Sequence, residues 1–161
     1  MFNLRWLFVR GKVIRHNAKG VQLFNEKRYE EARYEFEKAI ALFFAHENSH
    51  YNLGNLLREI GDIEGAIKEL NEAIKIKPDF IMAYSELASI YHKLGRKEEA
   101  EKMYRKAVEI DSKNPYVHIN LGTLLRDKGA FSDAELEYRI ALSCPGLDKK
   151  TEKEIRELIG V

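Results

Sequence analysis

A unit of 34 residues repeats along the sequence, and this period constrains the fold more than any other feature. The segment HYNLGNLLREIG at 50–61 returns as HINLGTLLRDKG at 118–129, with YSELASIYHKLG at 84–95 midway between them. HNAKGVQLFNEK at 16–27 extends the series, so four gapless copies occupy 13–148. A unit of this size cannot bury its apolar faces alone, so neighbouring copies are expected to stack on one another.

Small side chains recur at the same places in the four copies. Small residues at fixed places allow two helices to approach closely, and a glycine between two apolar-periodic segments can end a helix in the left-handed conformation. Each unit is therefore predicted to be a helical hairpin. The four series are Ala32, Ala66, Ala100 and Ala134; Ala39, Ala73, Ala107 and Ala141; Gly20, Gly54, Ala88 and Gly122; and Lys27, Gly61, Gly95 and Gly129.

These positions resemble the tetratricopeptide repeat family, which carries L-G, Gly, Ala, a bulky residue, Ala and Pro at fixed places in 34 residues. The second copy matches best, with Leu53, Gly54, Gly61, Ala66, Leu70, Ala73 and Pro78. The first copy departs most, since Lys19 stands at the usual leucine and Phe44 at the usual proline. The resemblance implies an all-α, right-handed solenoid of four stacked helical hairpins, which would occupy 13–46, 47–80, 81–114 and 115–148.

Composition argues against several classes of protein. With 161 residues, 45% of them hydrophobic and 33% charged, the chain is expected to form a soluble globular structure. A net charge of +1 argues against a dedicated nucleic-acid binder. The single cysteine, Cys144, cannot form an intramolecular disulfide, which favours a reducing, cytoplasmic location. The sequence has no apolar run near the roughly 20 residues that span a bilayer.

Residues 46–50, HENSH, match the H-E-x-x-H pattern of zinc-dependent peptidases. That chemistry needs both histidines one turn apart on a continuous helix. His50 instead occupies the repeat position of His16 and His118, where a ring packed between helices is expected, and His46 ends the first repeat. We predict that the two histidines do not share a helix and that the chain has no metal site, no cofactor and no enzymatic activity.

On the first helix of each later hairpin, the face opposite the Leu-Gly-Leu positions is polar. In the tetratricopeptide family this face lines the concave groove, so the resemblance implies a groove floored by amides, hydroxyls and arginines. An Asn amide can donate to and accept from a peptide backbone at once, and Arg can hold a carboxylate with two bonds. The candidate peptide-binding residues are Asn48, Tyr51, Asn52, Asn55 and Arg58; Ser85, Ser89 and His92; and Tyr116, Asn120, Thr123 and Arg126.

Two features of the sequence bear on what this groove can bind. Asn52 and Asn120 could simply be solvated or cap neighbouring backbone, because asparagine is common at that family position. The clamp that some relatives use for an acidic chaperone tail is also not reproduced. Where those relatives have lysine, asparagine, lysine and arginine, this chain has Asn17, Val21, Met82 and Glu86. Recognition of an acidic chaperone tail by that mode is therefore not expected.

The two ends of the sequence differ from the repeats. Residues 1–20 contain five Lys or Arg and no acid, and a helix there would align Phe2, Trp6, Val9 and Val13. Residues 1–12 could pack over the first repeat, support self-association, or lie on an anionic membrane surface. At the other end, the 149–161 segment is predicted to form a capping helix, and Thr151 and Glu154 have the spacing of a capping box.

Together these features predict a protein-protein interaction scaffold or adaptor that binds an extended peptide or a helix of a partner in its concave groove. The alternative is a membrane-surface adaptor held by its basic and apolar N-terminal segment. A metal-dependent hydrolase is the third possibility, and the position of His46 argues against it.

Overall fold

The computed structural model describes residues 4–161, with side chains from Phe8 onward, and this part of the chain folds into nine α-helices. The starts of α3, α5 and α7 are each 34 residues apart. The all-α class and the helical hairpins predicted from the sequence are confirmed. The helices are α1 (Leu4–Asn25), α2 (Tyr29–Leu42), α3 (Glu47–Glu59), α4 (Ile63–Ile76), α5 (Ile81–Lys93), α6 (Lys97–Ile110), α7 (Pro115–Asp127), α8 (Phe131–Ser143) and α9 (Lys149–Ile159).

The chain divides into two compact units, the first ending at Ala83 and the second beginning at Tyr84. In unit 1, α1 packs along α2, α3 packs along α4, and α2 also contacts α3. In unit 2, α7 packs along α8, α6 contacts α7, and α9 contacts α8. None of the helices in residues 4–161 is long and apolar enough to cross a bilayer.

The two helices of a hairpin approach closely at the small residues predicted from the repeat. Ala66 and Ala134 have almost no exposed surface. A Cβ atom added to Gly54 would lie 2.9 Å from Leu70 Cγ and 3.3 Å from the Ala66 carbonyl oxygen. One added to Gly122 would lie 3.2 Å from the Ala134 carbonyl oxygen. The helices are therefore in backbone contact at these points, and any larger side chain would separate them.

The core of unit 2 shows how the second helix fills the space beside that contact. Tyr104 and Tyr138 project from α6 and α8 into a buried cluster with Leu121 and Leu124 of α7. Ile155 from α9 joins the same cluster and is buried. Helix α9 thus covers apolar surface, as the sequence predicted for a capping helix, and its other residues remain largely exposed.

Helix ends follow local side-chain chemistry. The turn before α4 contains Gly61 at φ 88°, a left-handed conformation that glycine adopts without strain. Asp62 then caps α4, because its carboxylate accepts from the Gly65 backbone N–H at 2.9 Å. In the first repeat, Lys27 takes the equivalent turn at φ 61°, so this backbone conformation is kept even without glycine.

The capping box predicted at Thr151 is wrong. Helix α9 begins at Lys149, and its N-cap is Asp148. The Asp148 carboxylate accepts from the backbone N–H groups of Lys150 and Thr151 at 3.1 and 3.0 Å, and from the Thr151 hydroxyl. A carboxylate can accept all three bonds at once, so the helix begins one turn earlier than the threonine pattern indicated.

The basic N-terminal segment continues into the first helix of repeat one. Helix α1 is unbroken from Leu4 to Asn25, so residues 4–12 extend it and do not form a separate helix laid over the repeat. Of the predicted apolar stripe, Val13 is buried and Val9 is half-buried. The predictions for Phe2 and for the Trp6 side chain lie outside the described residues.

Enlarging the small residue at a helix contact should destabilise the fold. We expect Ala66→Leu and Ala100→Leu each to lower the free energy of unfolding by about 1–3 kcal/mol, because the added atoms force two helices apart. Chemical denaturation followed by circular dichroism measures the change. Ala41→Leu makes the same substitution at an exposed helical site and should have little effect. Equal denaturation midpoints for all three variants would contradict the assignment of these contacts.

Candidate functional site

The predicted binding residues lie on the first helix of three hairpins. Asn48, Tyr51, Asn52, Asn55 and Arg58 are on α3 of unit 1. In unit 2, Ser85, Ser89 and His92 are on α5, and Tyr116, Asn120, Thr123 and Arg126 are on α7. Most of these side chains are half-buried, and Tyr116 and Asn120 are exposed.

In unit 1, the polar side chains of α3 are connected to α1 by asparagine. The Asn52 amide donates to Asn17 Oδ1 at 3.1 Å, and the Ser49 hydroxyl donates to the same oxygen at 3.3 Å. Ser49 also bonds His46 Nδ1 through its hydroxyl at 2.7 Å. The sequence pattern did not predict the contribution of Asn17, because this residue departs from the chaperone clamp and lies on another repeat. It lies 35 residues before Asn52, one repeat and one residue away.

Asn55 lies one turn further along α3 and differs from the other asparagines. Its Oδ1 atom is buried, and none of the described groups donates a hydrogen bond to it. Buried acceptors are rarely left this way, since an unmade bond costs about 1–3 kcal/mol. We call Asn17, Asn52 and Asn55 the amide face of unit 1. Tyr51 lies beside this face with its ring centroid 5.3 Å from that of Phe80.

In unit 2, the corresponding hydroxyls are used inside the protein. The Thr123 hydroxyl bonds the Ile119 carbonyl oxygen at 2.9 Å and the Tyr138 hydroxyl at 3.1 Å. Ser89 hydrogen-bonds the Tyr104 hydroxyl in the same way, 15 residues ahead. Ser89 and Thr123 occupy the repeat position of Asn55. Their hydroxyls hold buried tyrosines, which reduces what they can offer a ligand.

The other residues of unit 2 have different environments. His92 Nε2 lies 3.0 Å from Asp127 Oδ2, so this histidine connects α5 to α7. The Tyr116 hydroxyl reaches Asp148 at 3.4 Å, near the start of α9. Arg126 is half-buried and lines a cavity of about 230 Å³ with Tyr138. Most of the predicted residues of unit 2 thus bond other residues of that unit, whereas Asn120 is exposed.

The two histidines of the H-E-x-x-H segment do not share a helix, as predicted. His46 is the N-cap of α3, and its Nδ1 accepts from the Ser49 backbone N–H at 3.2 Å. His50 is buried, with Nδ1 2.7 Å from Glu69 Oε2 and Nε2 2.9 Å from the Phe44 carbonyl oxygen. Both ring nitrogens are therefore occupied. Among the side chains that the structure describes, from Phe8 onward, no group of three potential metal-binding residues comes together.

The bond between His50 and Glu69 is one of three equivalent pairs. His16 Nδ1 lies 2.6 Å from Glu35 Oε2, and His118 Nδ1 lies 2.6 Å from Glu137 Oε2. Each pair is separated by 19 residues and joins the two helices of a hairpin. In the third repeat Tyr84 and Met103 replace both partners together. Sequence reasoning missed these pairs, although their constant separation and joint loss are visible in the printed sequence.

Comparison with known families agrees with this geometry. A family model described as a TPR repeat matches residues 54–95, and one described as a tetratricopeptide repeat matches 83–114. This chain belongs to the tetratricopeptide repeat family. Among solved structures, this tetratricopeptide protein is similar to the crystal structure of MamA, at 22% identity and a TM-score of 0.75. The alignment covers 90% of this chain and 81% of that one, so the predicted tetratricopeptide solenoid fold is confirmed.

Two further similarities concern proteins whose names include a partner. The tetratricopeptide chain is 32% identical to the Hsp70-Hsp90 organizing protein of Triticum aestivum over 60% of its own length. It also resembles the first TPR of Spaghetti (RPAP3) bound to an HSP90 peptide, at 20% identity and a TM-score of 0.69, covering 74% of this chain and 94% of that one. The chain spans only 17% of the wheat protein, and 12% and 18% of two other curated relatives.

Removing a buried histidine should destabilise its hairpin. His50→Phe keeps a flat ring but leaves Glu69 and the Phe44 carbonyl without their bonds, so we expect a loss of about 1.5–3 kcal/mol by chemical denaturation. His92→Phe, which removes one bond nearer the surface, should cost less than about 1 kcal/mol. The double variant His50→Tyr with Glu69→Met copies the third repeat and should recover part of the loss. A double variant less stable than His50→Phe would refute the pairing.

The buried Tyr104 should make stability depend on alkaline pH. Burial, followed by the negative charge of Glu86, raises the pKa of Tyr104 from 10.0 to about 12. The unfolded chain therefore loses this proton first, and the stabilisation present below pH 10 is lost as the pH rises toward 12. We expect Tyr104→Phe to show a shallower fall in unfolding free energy over this range than wild type. Tyr116→Phe, at an exposed hydroxyl, should follow wild type.

Proposed function

We propose that this chain is a protein-interaction scaffold and that it binds an extended peptide through the first helices of its repeats. The observation that carries the proposal is the amide face of unit 1. It contains the Asn17–Asn52 hydrogen bond and, one turn away, the buried Asn55 oxygen, to which none of the described groups donates. A peptide backbone N–H would satisfy that oxygen. The wheat relative and the peptide-bound Spaghetti repeat support a protein or peptide partner for this fold.

The face of α1 suggests which peptides would fit. Its residues at the repeat positions of Asn48, Asn52 and Asn55 are Ile14, Ala18 and Val21, and all three are exposed. An apolar strip thus runs beside the amide face within unit 1. A ligand that places apolar side chains over α1 and its backbone over α3 would use both. The acidic chaperone tail does not suit this strip, because Val21 stands where the clamp needs asparagine.

The remaining parts of the proposal follow from the same chemistry. We propose an adaptor role without enzymatic activity, since the three side chains of the amide face are amides, which act neither as nucleophiles nor as bases. A cytoplasmic location is proposed from the single cysteine and its expected free thiol. We propose no nucleic-acid partner, because the net charge is only +1. Self-association stays a prediction.

The amide face should be needed for binding and not for folding. We expect Asn55→Ala to leave the unfolding free energy unchanged or raised, because it removes a buried acceptor without a bond. Binding of a peptide selected from a random phage-displayed library should weaken by about 1–3 kcal/mol, measured by calorimetry. The double variant Asn52→Ala with Asn120→Ala should also bind more weakly while it keeps its helicity.

Glu98→Gln with Glu99→Gln is the matched control, because both carboxylates lie at the start of the second helix α6 and neither belongs to the predicted binding residues. It should bind the selected peptide as wild type does. If Asn55→Ala and the asparagine double variant bind with unchanged affinity, and the glutamine control does not, the peptide site lies elsewhere on the chain and the proposal fails.

A further inference from the structure

The hairpin of α1 and α2 carries a second surface that the amide face does not use. An open cavity of about 370 Å³ lies between the two helices, lined by Lys12, Arg15, His16, Lys38, Ala41 and Leu42. Three of these side chains are permanent cations, and Ala41 and Leu42 supply apolar walls. This cavity, with three cations and two apolar side chains, therefore differs in chemistry from the amide face, which consists of three amides.

Within the described residues, none of Lys12, Arg15 and Lys38 forms an ion pair. The reason is in the sequence of α1, LRWLFVRGKVIRHNAKGVQLFN, which contains no acidic residue. Arginines on later helices pair with a glutamate three or four residues away, as Arg33 does with Glu37 and Arg139 with Glu135. Arg15 has glycine, lysine, alanine and lysine at those positions.

Two carboxylates lie close to Lys38 in sequence, and both are committed to other partners. Glu37 pairs with Arg33 at 2.8 Å. Glu35 accepts from Lys19 Nζ at 2.7 Å and bonds His16 Nδ1 at 2.6 Å. Burial works to raise the pKa of Glu35, but these two hydrogen bonds outweigh it and hold the pKa below the ordinary value. Its single charge is therefore shared between His16 and Lys19, and the positive charge of Lys12, Arg15 and Lys38 remains for an external anion.

Exposed apolar side chains surround these cations. Phe8 is 63% exposed and lies under Lys12, whose Nζ is 4.4 Å from the ring centroid. Tyr34 is 55% exposed and lies under Lys38 at 4.2 Å. Leu42 is 38% exposed at the rim of the cavity. We call these three side chains, together with Lys12, Arg15 and Lys38, the basic-apolar face.

Arg15 occupies a position that is buried in the other repeats. Ser49, Ala83 and Val117 stand at this place, and all three are small or apolar and buried. In unit 1, Ser49 meets Asn17 of the preceding repeat, whereas Arg15 is exposed and borders the cavity beside α2. A large exposed cation here suits contact with a charged external surface.

We propose that the basic-apolar face docks the protein on an anionic membrane surface. Lys12, Arg15 and Lys38 would face lipid phosphates and serine carboxylates, and Phe8 and Leu42 would enter the interfacial region. Anionic leaflets attract cations of this kind, and aromatic and aliphatic side chains add affinity at the interface. This goes beyond peptide binding, because the cations lie on the α1–α2 hairpin and no α3 residue takes part.

Flotation of the full chain with vesicles tests the proposal. Wild type should float with vesicles of phosphatidylcholine containing 30% phosphatidylserine, and not with phosphatidylcholine alone, and flotation should weaken as NaCl is raised. The triple variant Lys12→Gln, Arg15→Gln, Lys38→Gln should lower the partition coefficient about 100-fold, since each cation near such a surface contributes about 1 kcal/mol. Phe8→Ala with Leu42→Ala should lower it at every salt concentration.

A matched variant distinguishes an effect of the basic-apolar face from an effect of the protein's net charge. Lys149→Gln, Lys150→Gln, Lys153→Gln removes the same charge from α9 and should float as wild type does. Asn55→Ala should also float normally, so a failure of the peptide-binding proposal would not affect this result. The proposal is overturned if wild type does not float with the anionic vesicles, if both triple variants lose flotation equally, or if soluble polyglutamate binds the basic-apolar face as tightly as the vesicles do.

Discussion

The close approach of two helices at alanine and glycine is the constraint on which the rest of the structure depends. At Gly54 and Gly122 the backbones of paired helices are near enough that a Cβ atom would contact a carbonyl oxygen of the partner helix. Such a distance leaves no space for larger side chains at the crossing, so bulky residues collect on either side of it. Leu70 and Tyr138 occupy those spaces, and the apolar faces that remain are covered by neighbouring helices.

Near these contacts, the hydrogen bonds of the polar side chains on the first helix depend on which residue the second helix carries. Where it carries tyrosine, a serine or threonine on the first helix meets the buried hydroxyl, as Thr123 does with Tyr138. Where it carries Leu70, no hydroxyl is present, and Asn55 stands at the same position with a buried oxygen. The Asn55 oxygen therefore lacks the kind of partner that Tyr138 gives Thr123 in unit 2. A change of one apolar residue on a second helix thereby alters what the first helix can present to a ligand.

The first hairpin combines two surfaces with different chemistry. The amide face suits an uncharged backbone, while the basic-apolar face suits an extended anionic surface. Helix α1 contributes to both, because Asn17 points to α3 and Lys12 and Arg15 border the cavity beside α2. A scaffold that holds a peptide on one side and a membrane on the other would bring the peptide's protein to the lipid surface.

Much of this protein was determined by its sequence. The period of 34, the small residues at the helix contacts, the glycine turns and the family were all predictable, because each depends on local backbone geometry or on spacing that repeats. The separation of His46 from the helix of His50 was also predictable from the repeat boundary. The candidate binding residues lie on the first helices of their hairpins, as the repeat predicted. Their role in binding stays a prediction, and their hydrogen bonds could not be predicted.

Only the tertiary structure decided which polar groups are already used. Ser89 and Thr123 looked available in the sequence, yet they hold buried tyrosines, and Asn52 donates to Asn17 of the preceding repeat. The His–Glu pairs and the cap at Asp148 were missed for related reasons. Each pair joins residues 19 apart on two helices, and the position of the cap depends on whether Asp148 or Thr151 stands directly before the first turn of α9. A hydrogen bond needs two groups within about 3 Å of each other. The residue type determines which bonds a side chain is able to form, but the packing of the helices determines which partner lies within that distance.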